Sequence, residues 1–343
     1  MRSSDKKENR FKAPLKAVAA LLIFLAAVFG ISLLVNYPFE AIYSNSNNRD
    51  LVFVGASQAI WQIDPRIIDE DTGLNSYVLG CAGCSMSQRG LLINSAVQQE
   101  NLKTVVLEIS ANRMSEFYGG LLGDDIVSMS ELSGLSNKVS AAFKRLSFFD
   151  DEYDQFYFNL LDSGVKMWQE ICLGTYEETA AKKGYAPKDT VEDLTLTRKQ
   201  AIKKRDYAAL TSGFIKSNVK YLKKIFDAMK DSDVRFIVIT TPLSEHYIWK
   251  YTGWDEFYDA MSYYTEKYGF EYYDFNLLKD RTEYFNDASS FSDRDHLSQE
   301  GAETFSHILA SIVGTDSIEE TGLEFYDSYE EAKEHMTYMK YIE

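Results

Sequence analysis

Leu51-Val52-Phe53-Val54 is an apolar, partly β-branched run that stops at Gly55-Ala56 and then presents one serine, Ser57. Four consecutive residues of this kind read as a strand buried on both faces of a parallel sheet. That is a strong constraint, because parallel strands need helical crossovers and a cover on each face. Ser57 is then expected at the carboxyl end of its strand, the edge where open α/β sheets bind ligands. The same pattern also suits a serine that merely caps the next helix. The rest of the chain has to decide between the two.

The alternation continues on both sides of this stretch. Residues 58–69 read as a short helical segment interrupted at Asp64-Pro65, with Pro65 at a helix start. A second strand over 75–79 closes on Gly80-Cys81-Ala82-Gly83, and residues 87–100 carry apolar positions at helical spacing. A third strand over 103–109 stops at Ser110-Ala111-Asn112. From 113 to about 209 the pattern turns polar, aromatic and helical, which reads as an insertion lying over the sheet's carboxyl edge. The rhythm then resumes with a helix over 214–230, a strand over 234–240, a helix over 255–268 and a strand over 270–275. Residues 291–297 read as a loop, after which Ser298 caps a last helix running to about residue 313. The acidic, aromatic tail 314–343 is expected to pack as a short hairpin or helix and is assigned no chemistry. The fold class expected is α/β, with a mostly parallel sheet and a mainly helical insertion over about 113–209.

Charge divides the 343-residue chain unevenly. Residues 1–16 hold six Lys/Arg against Asp5 and Glu8, a local +4, so the remainder carries −20 of the total −16. An acidic body of that size repels phosphate backbones and excludes nucleic acid as a partner. Residues 17–35 contain no charge, and as a helix they span roughly 28 Å, about the thickness of a bilayer core. A cleaved signal peptide or a buried helix are the alternatives. The basic flank places 1–16 in the cytoplasm and the body outside, with 36–49 as a polar linker. The expected localisation is therefore a single-pass cell-membrane protein with an extracellular domain over 50–313.

Three cysteines, Cys81, Cys84 and Cys172, are too few for a disulfide scaffold. Cys81 and Cys84 read as small residues in a tight turn that could oxidise to each other. Neither these nor the four histidines, His246, His296, His307 and His335, complete a metal site, so no metal or other cofactor is expected. His246 is expected at the surface and His307 partly buried. Trp61, Trp249 and Trp254 are expected to pack rather than to contact a ligand. Glu108, mid-strand beside Ser110, must either be paired or face the site.

Ser57, the 80–83 turn and the 110–112 turn each follow a strand, so a parallel sheet puts them on one edge. Asp293-Arg294-Asp295-His296 comes from the end of the chain. Together these are what acyl transfer requires. A serine hydroxyl needs an imidazole to take its proton, the imidazole needs a carboxylate to hold its tautomer, and the oxyanion needs fixed donors. Asp293 or Asp295 could supply that carboxylate. A surface His296 at a helix start is the plainer alternative.

Gly55-Ala56-Ser57 resembles the nucleophile block of the SGNH/GDSL hydrolase superfamily, and Leu79 to Gly83 its second block. Ser110-Ala111-Asn112 is similar to the third, Gly-x-Asn, and Asp293 to His296 to the final Asp-x-x-His, followed by Leu-Ser-x-x-Gly-Ala. The four occur in family order. Ala56 replaces the usual Asp, Ser110 the usual Gly, and the Leu after the nucleophile is absent. The resemblance implies a three-layer, flavodoxin-like α/β/α sandwich with Ser57, His296 and Asp293 as catalytic residues. It also implies that the N–H groups of Ser57 and Gly83 and the Asn112 amide hold the oxyanion. With a membrane anchor and a helical insertion, the plan resembles the teichoic-acid D-alanyl transfer protein and the alginate-type O-acetylation proteins. The implied activity is a serine esterase or O-acyltransferase acting on acylated cell-surface polysaccharide or teichoic acid, beside a membrane-bound O-acyltransferase. The rival is a non-catalytic domain of the same fold that binds an envelope polymer or such an acyltransferase.

Overall fold

The computed structural model describes residues 16, 18–20, 22–23, 26–27, 30, 49–80, 82–115, 181–210, 214 and 216–342. Five strands form one fully parallel sheet: β1 (Leu51–Gly55), β2 (Ser76–Gly80), β3 (Thr104–Glu108), β4 (Arg235–Thr240) and β5 (Glu271–Asp274). Their spatial order is 2-1-3-4-5. The order reverses between β1 and β3, and a crevice opens outside the carboxyl ends of strands at such a switch point. Val54 lies opposite Leu107, and Gly55 opposite Gly80, so the turns after β1, β2 and β3 emerge side by side.

Side chains alternate across the sheet with the period of two that strands impose. Val52, Val54, Val105, Leu107 and Val238 face one way. Helices α3 (Met86–Ala96), α6 (Lys216–Lys230) and α8 (Trp254–Tyr268) cover them with Leu92, Phe226, Phe257 and Met261. Leu51, Phe53, Val106, Ile237 and Ile239 face the other way. There α1 (Ser57–Gln62), α2 (Pro65–Thr72) and α9 (Gln299–Val313) supply Ala59, Ile68, Phe305 and Leu309. The result is the α/β/α sandwich. Between β3 and α6, α4 (Ala111–Ser115) and α5 (Arg198–Lys204) are also described, as is α7 (Glu245–Lys250) after β4.

Pro65 opens α2 as expected, with Asp64 as its cap. The 291–297 stretch departs from expectation. It is a tight antiparallel hairpin of β6 (Phe291–Asp293) and β7 (His296–Leu297), with Asp293 paired to His296, and the Asx turn at Asp293 is what a loop reading overlooks. Ser298 does cap the last helix, accepting from Gly301 N and donating to the Ser289 carbonyl. Ser298→Ala should lower stability by about 1 kcal/mol, read as a shift of roughly 2–4 °C in thermal unfolding.

Most of the expected insertion, 116–180, lies outside the described residues. Its described return runs across the sheet's β2 side and then past α1. The Lys183 carbonyl accepts from Val78 N, the Ile60 carbonyl accepts from Ala186 N, and Glu192 N donates to the Phe291 carbonyl. The tail forms α10 (Tyr329–Glu334), whose buried Tyr329 donates its hydroxyl to Asp274 at 2.8 Å. Of the apolar 17–35 stretch, the residues described are helical and exposed. No helix among the described residues is long and apolar enough to cross a membrane.

Candidate active site

Ser57 is the first residue of α1, directly after β1, and is buried. The preceding turn is shaped by space. Gly55 does not adopt a positive φ, but a Cβ on it would lie 2.7 Å from Glu108 Oε2 and 2.5 Å from the Ala59 Cβ. Its glycine answers close packing. A Cβ on Gly80 would likewise meet the Gly55 carbonyl oxygen at 2.4 Å.

Glu108 explains that crowding. Its buried carboxylate accepts the Ala56 N–H at 2.9 Å and faces the fully buried Arg89 of α3 at 3.3 Å. Arg89 also donates to the carbonyls of Cys84 and Glu108. One ion pair thus ties together the turns that follow β1, β2 and β3. Glu108 is paired and sits behind the Ser57 turn, with its Oε1 unpartnered among the described residues.

Ser57 Oγ lies 3.0 Å from His296 Nε2, and His296 Nδ1 lies 2.8 and 3.0 Å from the two oxygens of Asp293. With the Nδ1 proton on the Asp293 side, Nε2 is left to accept from the serine hydroxyl. Asp295 stands 3.7 Å from Nδ1, so Asp293 makes the orienting bond. The main chain explains this choice. Asp295 N donates to Asp293 Oδ1, while the Asp295 carbonyl accepts from Gln58 Nε2 at 3.1 Å and Gln62 Nε2 at 3.0 Å. These two amides are four apart on α1, so the helix that carries Ser57 also pins the hairpin that carries His296. Ser244 adds bonds from its N and Oγ to the Arg294 carbonyl.

Burial opposes ionisation of Asp293, but hydrogen bonds from His296 and Lys188 override it and hold the carboxyl well below the usual range. Burial raises Asp295, His296 lowers it in opposition, and Asp293 adds to the rise. The Lys188 ammonium lies 2.8 Å from Asp293 Oδ2 and 4.1 Å over the Trp61 ring. Trp61 in turn stands edge-on to His296, with ring centroids 4.6 Å apart. Asp293, Asp295 and His296 also bring ligand atoms within 4.8 Å of one another. The adjoining ammonium disfavours a second cation there, and the set suits proton transfer better.

Asn112, early in α4, donates its amide to the Tyr247 hydroxyl at 3.0 Å, and the Arg294 guanidinium lies 5.2 Å from the Tyr247 ring. Gly83 occupies the left-handed region, φ 75°, in the turn after β2. Both therefore lie at the same sheet edge as Ser57, though the Asn112 amide is engaged with Tyr247. Cys84 is buried, and Cys81 lies outside the described residues, as does Cys172.

The other histidines stand apart from this chain of bonds. His246 is half-buried rather than superficial, because α5 packs over it. Burial, with Lys204, Lys250 and Arg294, pushes its pKa down to about 4. His307 is exposed rather than partly buried, since it reaches across to Asp71 on α2. His335 stacks on Tyr326. Trp249 and Trp254 are core residues, as expected, whereas Trp61 belongs to the site. Sequence reasoning missed Gln58, Gln62 and Lys188. The i, i+4 glutamines on a core helix were a usable signal. Lys188, 105 residues from its partner, offered none.

A model of a family without an assigned function matches residues 149–318. The match takes in Lys188, Asp293 and His296 but stops short of Ser57, Gly83 and Asn112. No curated protein matches the chain.

Proposed function

We propose that this protein is a serine esterase or O-acyltransferase of SGNH type, anchored in the cell membrane with its catalytic domain outside the cytoplasm. Its substrate class would be the acyl esters of a cell-surface polysaccharide or teichoic acid. The observation that carries the reading is the continuous bond series Ser57 Oγ, His296, Asp293 at 3.0 and 2.8 Å. The uncharged 17–35 stretch behind a basic flank supports the anchor.

In this mechanism His296 Nε2 takes the Ser57 proton as Oγ attacks the acyl carbonyl. The imidazolium so formed is balanced by Asp293 and then returns the proton to the departing alkoxide. Water or a glycan hydroxyl, deprotonated by the same nitrogen, releases the acyl group and restores Ser57. First-turn N–H groups of a helix have no intrahelical acceptor, so Ser57 N can face the oxyanion, aided by Gly83 N and the Asn112 amide.

A fluorophosphonate probe should label the full-length chain at Ser57 and leave Ser57→Ala unlabelled, with labelling traced to the residue by peptide mass spectrometry. A probe that leaves the parent chain unmodified would overturn the esterase reading in favour of a non-catalytic binding partner.

A further inference from the structure

The triad acid has a second cation on it. Asp293 Oδ1 lies 2.8 Å from His296 Nδ1, while Oδ2, 3.0 Å from the same nitrogen, also accepts from Lys188 Nζ at 2.8 Å. A carboxylate that serves only to steady an imidazolium would keep its second oxygen for N–H donors or water, since a full positive charge there opposes the charge that His296 must acquire. Lys188 is not a loose surface lysine that happens to reach. Its ammonium is clamped between Asp293 and the face of Trp61, whose edge meets the His296 ring. Its main-chain carbonyl accepts from Gln299 N, at the start of α9. Side chain and backbone are both tied to elements that hold the base.

We infer that Lys188 is a positioning residue that acts through Asp293, offsetting part of its charge so that His296 stays neutral, and able to accept a proton, to lower pH than an Asp-His pair alone would allow. The inference rests on the esterase reading for its kinetic consequence, though not for its electrostatic one. Among the described residues, few charged or polar groups face His296. The hairpin supplies Asp293, Arg294 and Asp295, α1 supplies the Ser57 hydroxyl, and the return segment supplies Lys188. Arg294 points away, towards the Tyr247 ring of α7, and is partly exposed. Asp189, Glu300 and Glu303 line the open cleft beside Lys188.

The direction of the effect follows. A positive charge near an imidazole disfavours its protonated form, so removing Lys188 removes that opposition. A base must be neutral to act, so the acid limb of kcat/KM for an acyl ester should move up by about one pH unit in Lys188→Met. Well below that limb the variant should be about tenfold slower, and above it nearly equal to the parent. Lys188→Arg should keep the parent profile. A residue with a merely structural role would lower the rate at every pH without moving the limb.

The titration of His296 should be followed separately by NMR in the full-length chain, with the His296→Asn spectrum used for assignment. A raised midpoint in Lys188→Met, restored in Lys188→Arg, is the expected result. Lys188→Gln serves the same purpose if the methionine variant fails to fold. An unmoved midpoint and an unmoved limb overturn the inference even if the esterase activity is real. If instead no ester is turned over and Ser57 is not labelled, the functional reading fails, while the NMR midpoint still decides the role of Lys188.

Discussion

Alanine at Ser57 or at His296 should each lower acyl-ester turnover by about four orders of magnitude or more, and the double variant should be no slower than either single one. Groups that act as one unit are not additive: without the base the serine is not activated, and without the serine the base has nothing to deprotonate. The bond series that demands this is short at both links, 3.0 Å and 2.8 Å. Asp293→Asn should fall only slightly less far, since an amide can hold the ring with its proton on the wrong nitrogen. Single-turnover kinetics on a p-nitrophenyl ester would measure all of these. Penalties that sum in the double variant would show that Ser57 and His296 work independently and would sink the triad assignment.

The second large effect concerns stability. Glu108→Leu should cost about 3–5 kcal/mol, because it strands the guanidinium of Arg89 inside the protein without its counter-charge. Arg89 is fully buried, and its contacts with the Glu108 carboxylate and the Cys84 carbonyl are both internal. Unfolding should move down by roughly 10 °C in a domain of this size. Replacing both partners with apolar residues, Arg89→Met with Glu108→Leu, should recover most of the loss, as expected when the penalty lies in the orphaned charge. Calorimetry on these two variants and the parent would decide the matter. A Glu108→Leu protein as stable as the parent would show that Arg89 finds other compensation.

Much of the sheet could be read from the chain because buried parallel strands leave an unmistakable local record. Residues 51–54, 104–107 and 236–239 are each nearly continuous in β-branched or aliphatic residues, and each strand was placed within a residue or two of its structure. Pro65 and Ser298 marked helix starts through capping chemistry that acts over three or four residues. Relations of longer range were less visible. The 291–297 hairpin looked like a loop, because its strands are two or three residues long and its turn, Arg294-Asp295, carries none of the usual glycine signals. The purpose of Glu108 was hidden because its partner lies nineteen residues back on a helix. For Lys188 the obstacle was greater. It comes from a segment that reads only as an insertion over the sheet's carboxyl edge, and what gives it meaning is a carboxylate it meets solely in the folded chain.

The hairpin has a temporal consequence. Ser57 and His296 are separated by 239 residues, and the turn that presents His296 is held by glutamines of the very helix that begins with Ser57. During synthesis at about 5–20 residues per second, the serine therefore waits roughly 10–50 s for its base to be made. Through that interval β1 to β4 can pair, yet the hydroxyl remains an ordinary alcohol. On the proposed mechanism, competence would arrive only when the far end of the chain docks, so a nascent or truncated molecule would be chemically silent and esterase activity would report a completed fold.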